Sequence, residues 1–264
     1  MKLLISDLDG TLLEKDHTIS QGTIELVEKI RSLGVLFSIA TGRALTAAKS
    51  YIERLNITTP VILFNGARIY DPFEKRYLVQ HLLSKKAVEL ATEIILSRKS
   101  LTAAFFVGEE VYAYNVGLNA ATYMIRDALV YKSIGDLEFV KKVDVTKIVF
   151  ASYPHNLSKL EIELPGVFGQ EADVVRSEDD LLEILPKSVN KGKALKELCK
   201  MLGISTNEVV AMGDSMNDLE ILRTAGIGIA VGNAKDELKK TAKLYIDKMG
   251  KEALEKVYEL LQRG

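Results

Sequence analysis

The sequence predicts an α/β protein, a doubly wound parallel sheet interrupted by an inserted α+β domain. Three observations carry that expectation. Short apolar runs alternate with stretches of helical periodicity at both ends of the chain. Four of these runs end in polar or glycine-rich signals: Asp7 with Asp9, Thr41-Gly42, Asn65-Gly66 and Gly213-Asp214. Between residues 82 and 186 the rhythm changes to paired β-like runs flanked by helices. The core is therefore expected to take residues 1–82 and 186–264, and the inserted domain residues 83–185.

The first strand, 3–6, follows from the apolar run Leu3-Leu4-Ile5, which reads as a buried parallel strand before Gly10 turns the chain away. Ser20 is a suitable N-cap and Gly34 a stop for the helix that follows. Strands at 35–40 and 60–64 flank a helix at 44–55. In the insertion, a helix at 84–98 precedes strands at 102–107 and 111–114 and a helix near 118–127. A strand at 147–151, a short helix at 156–164 and a strand pair, 173–176 with 181–185, complete an antiparallel sheet. Phe105, Phe106, Tyr112 and Tyr114 read as the core of that sheet, with substrate contact as the alternative.

After Pro186 the alternation returns. A helix at 191–202 ends at Gly203, a strand at 209–212 ends in Gly213-Asp214, and a helix at 217–224 stops at Gly226. A strand at 227–231 and amphipathic helices at 235–242 and 252–262, around a short strand at 244–246, close the chain.

The bulk properties exclude several functions. Over 264 residues the formal net charge is −1, so no global field draws the chain to nucleic acid or an anionic membrane. No run approaches the ~18 apolar residues of a membrane span. The chain enters directly on its first strand, which leaves no room for a signal peptide. A single cysteine rules out an internal disulfide and fits a reducing cytosol, so a cytoplasmic location is expected. Cys199, among Leu195, Leu198 and Leu202, reads as a core thiol. His17, His81 and His155 lack metal-ligand spacing, which argues against a zinc hydrolase.

The chemistry lies in the acids. Asp7 and Asp9 stand one residue apart at the carboxyl end of a parallel strand, where open α/β sheets bind ligands. Like charges that close need a cation or shared protons. Asp214 ends a second strand, and Asp218 follows at i+4 on the same helical face. Four carboxylates from opposite ends of the chain thus converge on one sheet edge. Hard oxygen donors without histidine suit Mg²⁺.

Asp7-Leu8-Asp9-Gly10-Thr11-Leu12, Thr41-Gly42-Arg43, Lys191-Gly192 and Gly213-Asp214-Ser215-Met216-Asn217-Asp218, in that order, resemble the four motifs of the haloacid dehalogenase (HAD) superfamily. The insertion resembles the C2B cap of its Cof-like phosphatases. The resemblance implies a Rossmann-like core and a Mg²⁺-dependent phosphatase of small phosphorylated metabolites, either sugar phosphates or phosphoglycolate-like acids. It makes Asp7 the nucleophile that becomes an aspartyl-phosphate and Asp9 the general acid and then base. Asp7, the Asp9 carbonyl and Asp214 would hold Mg²⁺, with Asp218 in direct contact or one layer out. Thr41, the Gly42 amide and Lys191 would grip the phosphoryl oxygens, with Leu8 and Asn217 as further phosphate contacts. Arg43 and Asn65 are candidate substrate contacts; a surface ion pair and a plain turn are their alternatives. Lys193 competes with Lys191. A monomer or homodimer is expected. Two other functions fit the same residues: phosphomannomutase-like phosphotransfer, and a phospho-aspartate signalling domain, which the insertion and Asp9 disfavour.

Overall fold

Five parallel strands carry the first and last of these strand ends. They are β1 (Leu3–Ser6), β2 (Leu36–Ile39), β12 (Val209–Gly213), β13 (Ile227–Val231) and β14 (Leu244–Ile246), in the spatial order β14-β13-β12-β1-β2. They belong to a computed structural model that describes residues 1–117 and 130–262. The helix expected near 118–127 lies outside the described residues. The chain forms two units. One comprises Met1–Gly42, Ala48–Val79 and Asn190–Gly264; the other comprises Arg43–Ala47 and Gln80–Val189.

In the first unit, β1 lies between β2 and β12, with Leu3 opposite both Leu36 and Val209. Successive side chains point to opposite faces. Leu3, Ile5, Val209 and Ala211 form one core with helices α5 (Lys191–Leu202) and α6 (Leu219–Thr224). Leu4, Val210 and Met212 point the other way and are equally buried. Helices α1 (Gln21–Ser32) and α8 (Gly250–Gln262) pack on each other and bury Leu26, Val27, Ile30, Leu254 and Val257. Ser20 caps α1, its side chain accepting from the Thr23 N–H. Gly203, left-handed at φ 67°, ends α5. Helix α2 (Leu45–Arg54) and the short α7 (Asp236–Thr241) complete the helices outside the insertion.

Two strands outside the insertion were not anticipated. Strand β3 (Val61–Leu63) meets the main sheet through an Ala40–Ile62 bridge, then continues into a three-stranded sheet with β4 (Arg68–Asp71) and β5 (Arg76–Gln80). Their charged, partly exposed residues carry little of the apolar signal of a buried strand.

The second unit holds a six-stranded sheet, order β10-β11-β9-β6-β7-β8. Its strands are β6 (Thr102–Val107), β7 (Glu110–Tyr114), β8 (Tyr131–Ser133), β9 (Lys147–Ala151), β10 (Ala172–Glu178) and β11 (Leu181–Pro186). The expectation of an antiparallel sheet needs one correction. Strand β8 pairs with β7 in parallel, so the sheet is mixed. The three residues of β8 are all exposed, which is why no apolar run announced it. Helices α3 (Lys85–Leu96) and α4 (Pro154–Phe168) share one core with Phe105, Ile148, Phe150, Leu182 and Ile184, against which Tyr112 and Tyr114 pack. Helix α4 runs past Pro165, where the sequence predicts a stop. The proline falls in the last turn, and burial of Leu164 and Phe168 holds that turn in place. Phe106 alternates to the opposite face. There Lys147 pairs with Glu183 at 3.1 Å, both buried, with the Lys147 ammonium 5.0 Å from the Phe106 ring centre. Among the described residues no helix is long and apolar enough to cross a membrane.

Candidate active site

Asp7 directly follows β1. Its N–H donates to Met212 O at 3.0 Å, so the ladder with β12 extends one residue beyond the strand and fixes its backbone. Asp9 is extended, and Gly10 then takes the left-handed region at φ 73° to start a tight turn through Leu12. Only glycine fits at that position. A Cβ there would lie 2.3 Å from Asp214 Oδ2. At the end of β12, a Cβ on Gly213 would fall 2.5 Å from Asp218 Cγ. Bare backbone at both points lets the two loops close on each other.

Asp218 organises the second loop. Its Oδ2 accepts from the N–H groups of Asp214 (3.0 Å) and Ser215 (3.1 Å), capping the turn Met216–Asp218 that leads into α6. Its Oδ1 accepts from Lys191 Nζ at 2.7 Å, and the same ammonium donates to Asp7 Oδ1 at 2.7 Å. Lys191 and Asp218 are fully buried. Lys191 stands at the start of α5, which Asn190 caps by accepting from the Lys193 N–H; Lys193 itself is exposed. Asp214 accepts from Thr11 Oγ1 at 2.8 Å and from Asn233 Nδ2 at 3.3 Å.

One carboxylate oxygen from each of Asp7, Asp214 and Asp218 lies within 4.8 Å of the others. Burial, opposed by Lys191 and reinforced by Asp218, Asp214 and Asp9, holds the Asp7 carboxyl well above the usual range. Burial, followed by the charge of Asp218, pushes Asp214 up to about 6. Burial works against a charged Lys191, yet Asp218 and Asp7 outweigh it and raise the ammonium above its ordinary value. Three carboxylates therefore face one ammonium. The two remaining negative charges match a divalent cation, and the donors are all hard oxygens. The site fits Mg²⁺ on both counts.

A second group adjoins the first through the Met216–Asp218 turn. The Thr41 N–H donates to Ile62 O and its carbonyl accepts from the Asn65 N–H at 3.0 Å. Asn65 is buried and left-handed at φ 55°, and it accepts from Asn217 Nδ2 at 3.0 Å. A Cβ on Gly42 would approach the Asn65 amide to 3.1 Å. Asn217 Oδ1 is buried without a hydrogen-bond partner. Turned end for end, the Asn217 amide would bring its NH₂ to the place of that oxygen. The Leu8 side chain is fully buried, which leaves its backbone as the group able to meet a ligand. Arg43 is buried and belongs to the second unit. The Asp9 carboxylate is not part of the group of three; His17 Nδ1 lies 3.1 Å from its Oδ1.

Thr11, Asn233 and His17 are neighbours of the acids that no carboxylate spacing announces. Thr11 lies inside the first acidic motif. Gly232-Asn233, after β13, is a fifth strand-end signal of the same kind as the other four. His17 lacks metal-ligand spacing, and its one signal is its short distance along the loop from Asp9.

Comparison with known proteins follows the same line. The family described as haloacid dehalogenase-like hydrolase matches residues 4–257. The HMP-PP phosphatase of Escherichia fergusonii is 31% identical over 243 residues, covering 90% of this chain and 86% of its own. The 5-amino-6-(5-phospho-D-ribitylamino)uracil phosphatase of Bacillus subtilis is 28% identical over 253 residues, covering 91% and 90%. A crystal structure of a haloacid dehalogenase-like hydrolase from Bacteroides thetaiotaomicron superposes with a TM-score of 0.87 at 26% identity, covering 99% of this chain and 98% of its own.

Proposed function

This chain belongs to the haloacid dehalogenase-like hydrolases, and we propose that it is a Mg²⁺-dependent phosphomonoesterase of small phosphorylated metabolites, working through an aspartyl-phosphate on Asp7. One observation carries the reading: a single buried ammonium, Lys191, holds Asp7 from the N-terminal strand and Asp218 from the C-terminal half, with Asp214 beside them. A structural ion pair needs one acid. Three acids beside one cation leave negative charge in excess, a pocket of the kind that phosphoryl transfer completes with a divalent cation.

Asp7, Asp214 and the Asp9 carbonyl would hold the metal. Both Asp218 oxygens already accept from Lys191 and two amides, which supports an orienting role for that residue. When bound, Mg²⁺ offsets the carboxylate charge and withdraws electrons from the phosphoryl group. Asp7, whose ionised form Lys191 favours against the effect of burial, attacks phosphorus as the carboxylate, and Asp9 gives a proton to the departing alcohol. Asp9 then takes a proton from the water that opens the aspartyl-phosphate. Lys191, the Thr41 hydroxyl, the Gly42 and Leu8 amides and a turned Asn217 amide stabilise the charge on the phosphoryl oxygens. Arg43 and Asn65 are read as substrate-side contacts, and the unit of Gln80–Val189 as the cap domain. Two relatives named as phosphatases support water, rather than a second sugar hydroxyl, as the acceptor.

The test is phosphate release from p-nitrophenyl phosphate with and without Mg²⁺, for the natural chain and Asp7→Asn. Turnover should require Mg²⁺ and vanish in the variant. Normal turnover by Asp7→Asn would falsify the mechanism.

A further inference from the structure

We propose that His17 is a positioning residue for Asp9, fixing the carboxyl group that passes its proton to the leaving alcohol. The inference rests on the phosphatase reading above and extends it to a residue outside the acidic motifs. His17 Nδ1 lies 3.1 Å from Asp9 Oδ1. The imidazole suits a carboxyl group that changes protonation during turnover. Its nitrogen can donate to the carboxylate or accept from the carboxylic acid, so one contact serves both states.

The loop holds this ring in place. His17 adopts φ 60°, left-handed backbone that glycine enters freely and that asparagine, aspartate and histidine enter more readily than other residues. Its N–H donates to Glu14 O at 2.9 Å, and the Glu14 N–H donates to Thr18 O at 3.0 Å. Asp16 Oδ1 accepts from both the N–H and the hydroxyl of Thr18, closing the loop from inside. Tyr51, on α2, donates its hydroxyl to His17 O at 2.9 Å. The His17 backbone is thus tied on both sides of the Cα, and its ring is presented to Asp9 from a fixed base. Both side chains of the pair are themselves about two-fifths exposed, so the contact adds little stability; what the fastened loop supplies is a fixed place for the ring.

Two variants separate positioning from folding. His17→Gly accepts φ 60° without strain and removes the ring. His17→Asn also accepts the left-handed backbone, and its amide occupies the place of Nδ1 with either hydrogen-bond sense. The measurement is kcat/KM on phenyl phosphate, whose basic leaving group needs the proton, and on p-nitrophenyl phosphate, whose leaving group needs it far less. His17→Gly should lower kcat/KM about tenfold on phenyl phosphate and less than about threefold on p-nitrophenyl phosphate, a partial loss of general-acid catalysis. His17→Asn should recover most of the phenyl phosphate rate. Equal losses on both esters, or none on either, overturn the assignment. Asp7→Asn is assayed alongside: activity there overturns the phosphatase reading itself, whereas an inactive Asp7→Asn with an unaffected His17→Gly removes only the role of His17.

Discussion

At Lys191 one ammonium restrains two buried carboxylates that would otherwise repel each other. Lys191→Met removes it and leaves Asp7 and Asp218 without their countercharge. Breaking such a pair costs about 3–5 kcal/mol, which urea unfolding at neutral pH should read. Lys191→Arg should not rescue activity, because two 2.7 Å contacts to a compact ammonium leave no room for a planar guanidinium. Thr11 acts on the other side of the cluster. Its hydroxyl stabilises the ionised form of Asp214, so Thr11→Val should weaken Mg²⁺ binding about tenfold by calorimetry, the usual scale for losing a ligand's supporting hydrogen bond. Asp214, pushed up to about 6, must lose its proton to bind a cation. Below that pH the affinity for Mg²⁺ should fall about tenfold per pH unit if one proton competes. An affinity flat from pH 7 to 5 would contradict that assignment.

Among elements, the strand ends matter more than the strands. Gly10→Ala would force a side chain both into left-handed backbone and against Asp214, and Gly213→Ala would drive one into Asp218. Each should abolish turnover; the Gly10 variant should also lower the melting temperature, the backbone change alone costing about 1 kcal/mol. Those ends were legible because buried parallel strands read as continuous apolar runs, and the polar residue after each run is conspicuous. Strands β4, β5 and β8 were not legible, since their residues lie on partly exposed sheet where no apolar run forms. The Lys147–Glu183 pair was equally silent, because its partners meet across β9 and β11 rather than along the chain. Losing either partner alone should cost about 3–5 kcal/mol, while Lys147→Met with Glu183→Leu should be near neutral or stabilising. Unfolding curves for the three variants test that pattern.

Across the whole molecule the acids tie the first strand to the C-terminal half of the chain, and their ionisation sets a pH dependence for the fold. Asp214 has a folded pKa near 6 against 3.8 for the free group, so ionising it is harder in the folded protein. The metal-free fold should therefore lose stability as pH rises from about 4 through about 6. Saturating Mg²⁺ should reverse the loss; at one hundred times its Kd the ion adds about 2.7 kcal/mol. Melting temperatures with EDTA and with Mg²⁺, taken across that window, read both effects. The sequence marked Asp7, Asp9, Thr41-Gly42, Asn65-Gly66 and Asp214 by their place after apolar runs and Asp218 by its spacing from Asp214, while Lys191, Leu8 and Asn217 were expected only from the resemblance. It could not show that Asp218 spends both oxygens on Lys191 and the backbone, or that Thr11, Asn233 and His17 support the acids, because those contacts depend on how the loops fold back. The central claim is covalent chemistry on Asp7. Quenching the enzyme during turnover with borohydride should reduce an aspartyl-phosphate and convert residue 7 to homoserine, seen by mass spectrometry of the N-terminal peptide. Full turnover with residue 7 unmodified at every quench time, or the modification on another acid, would contradict it.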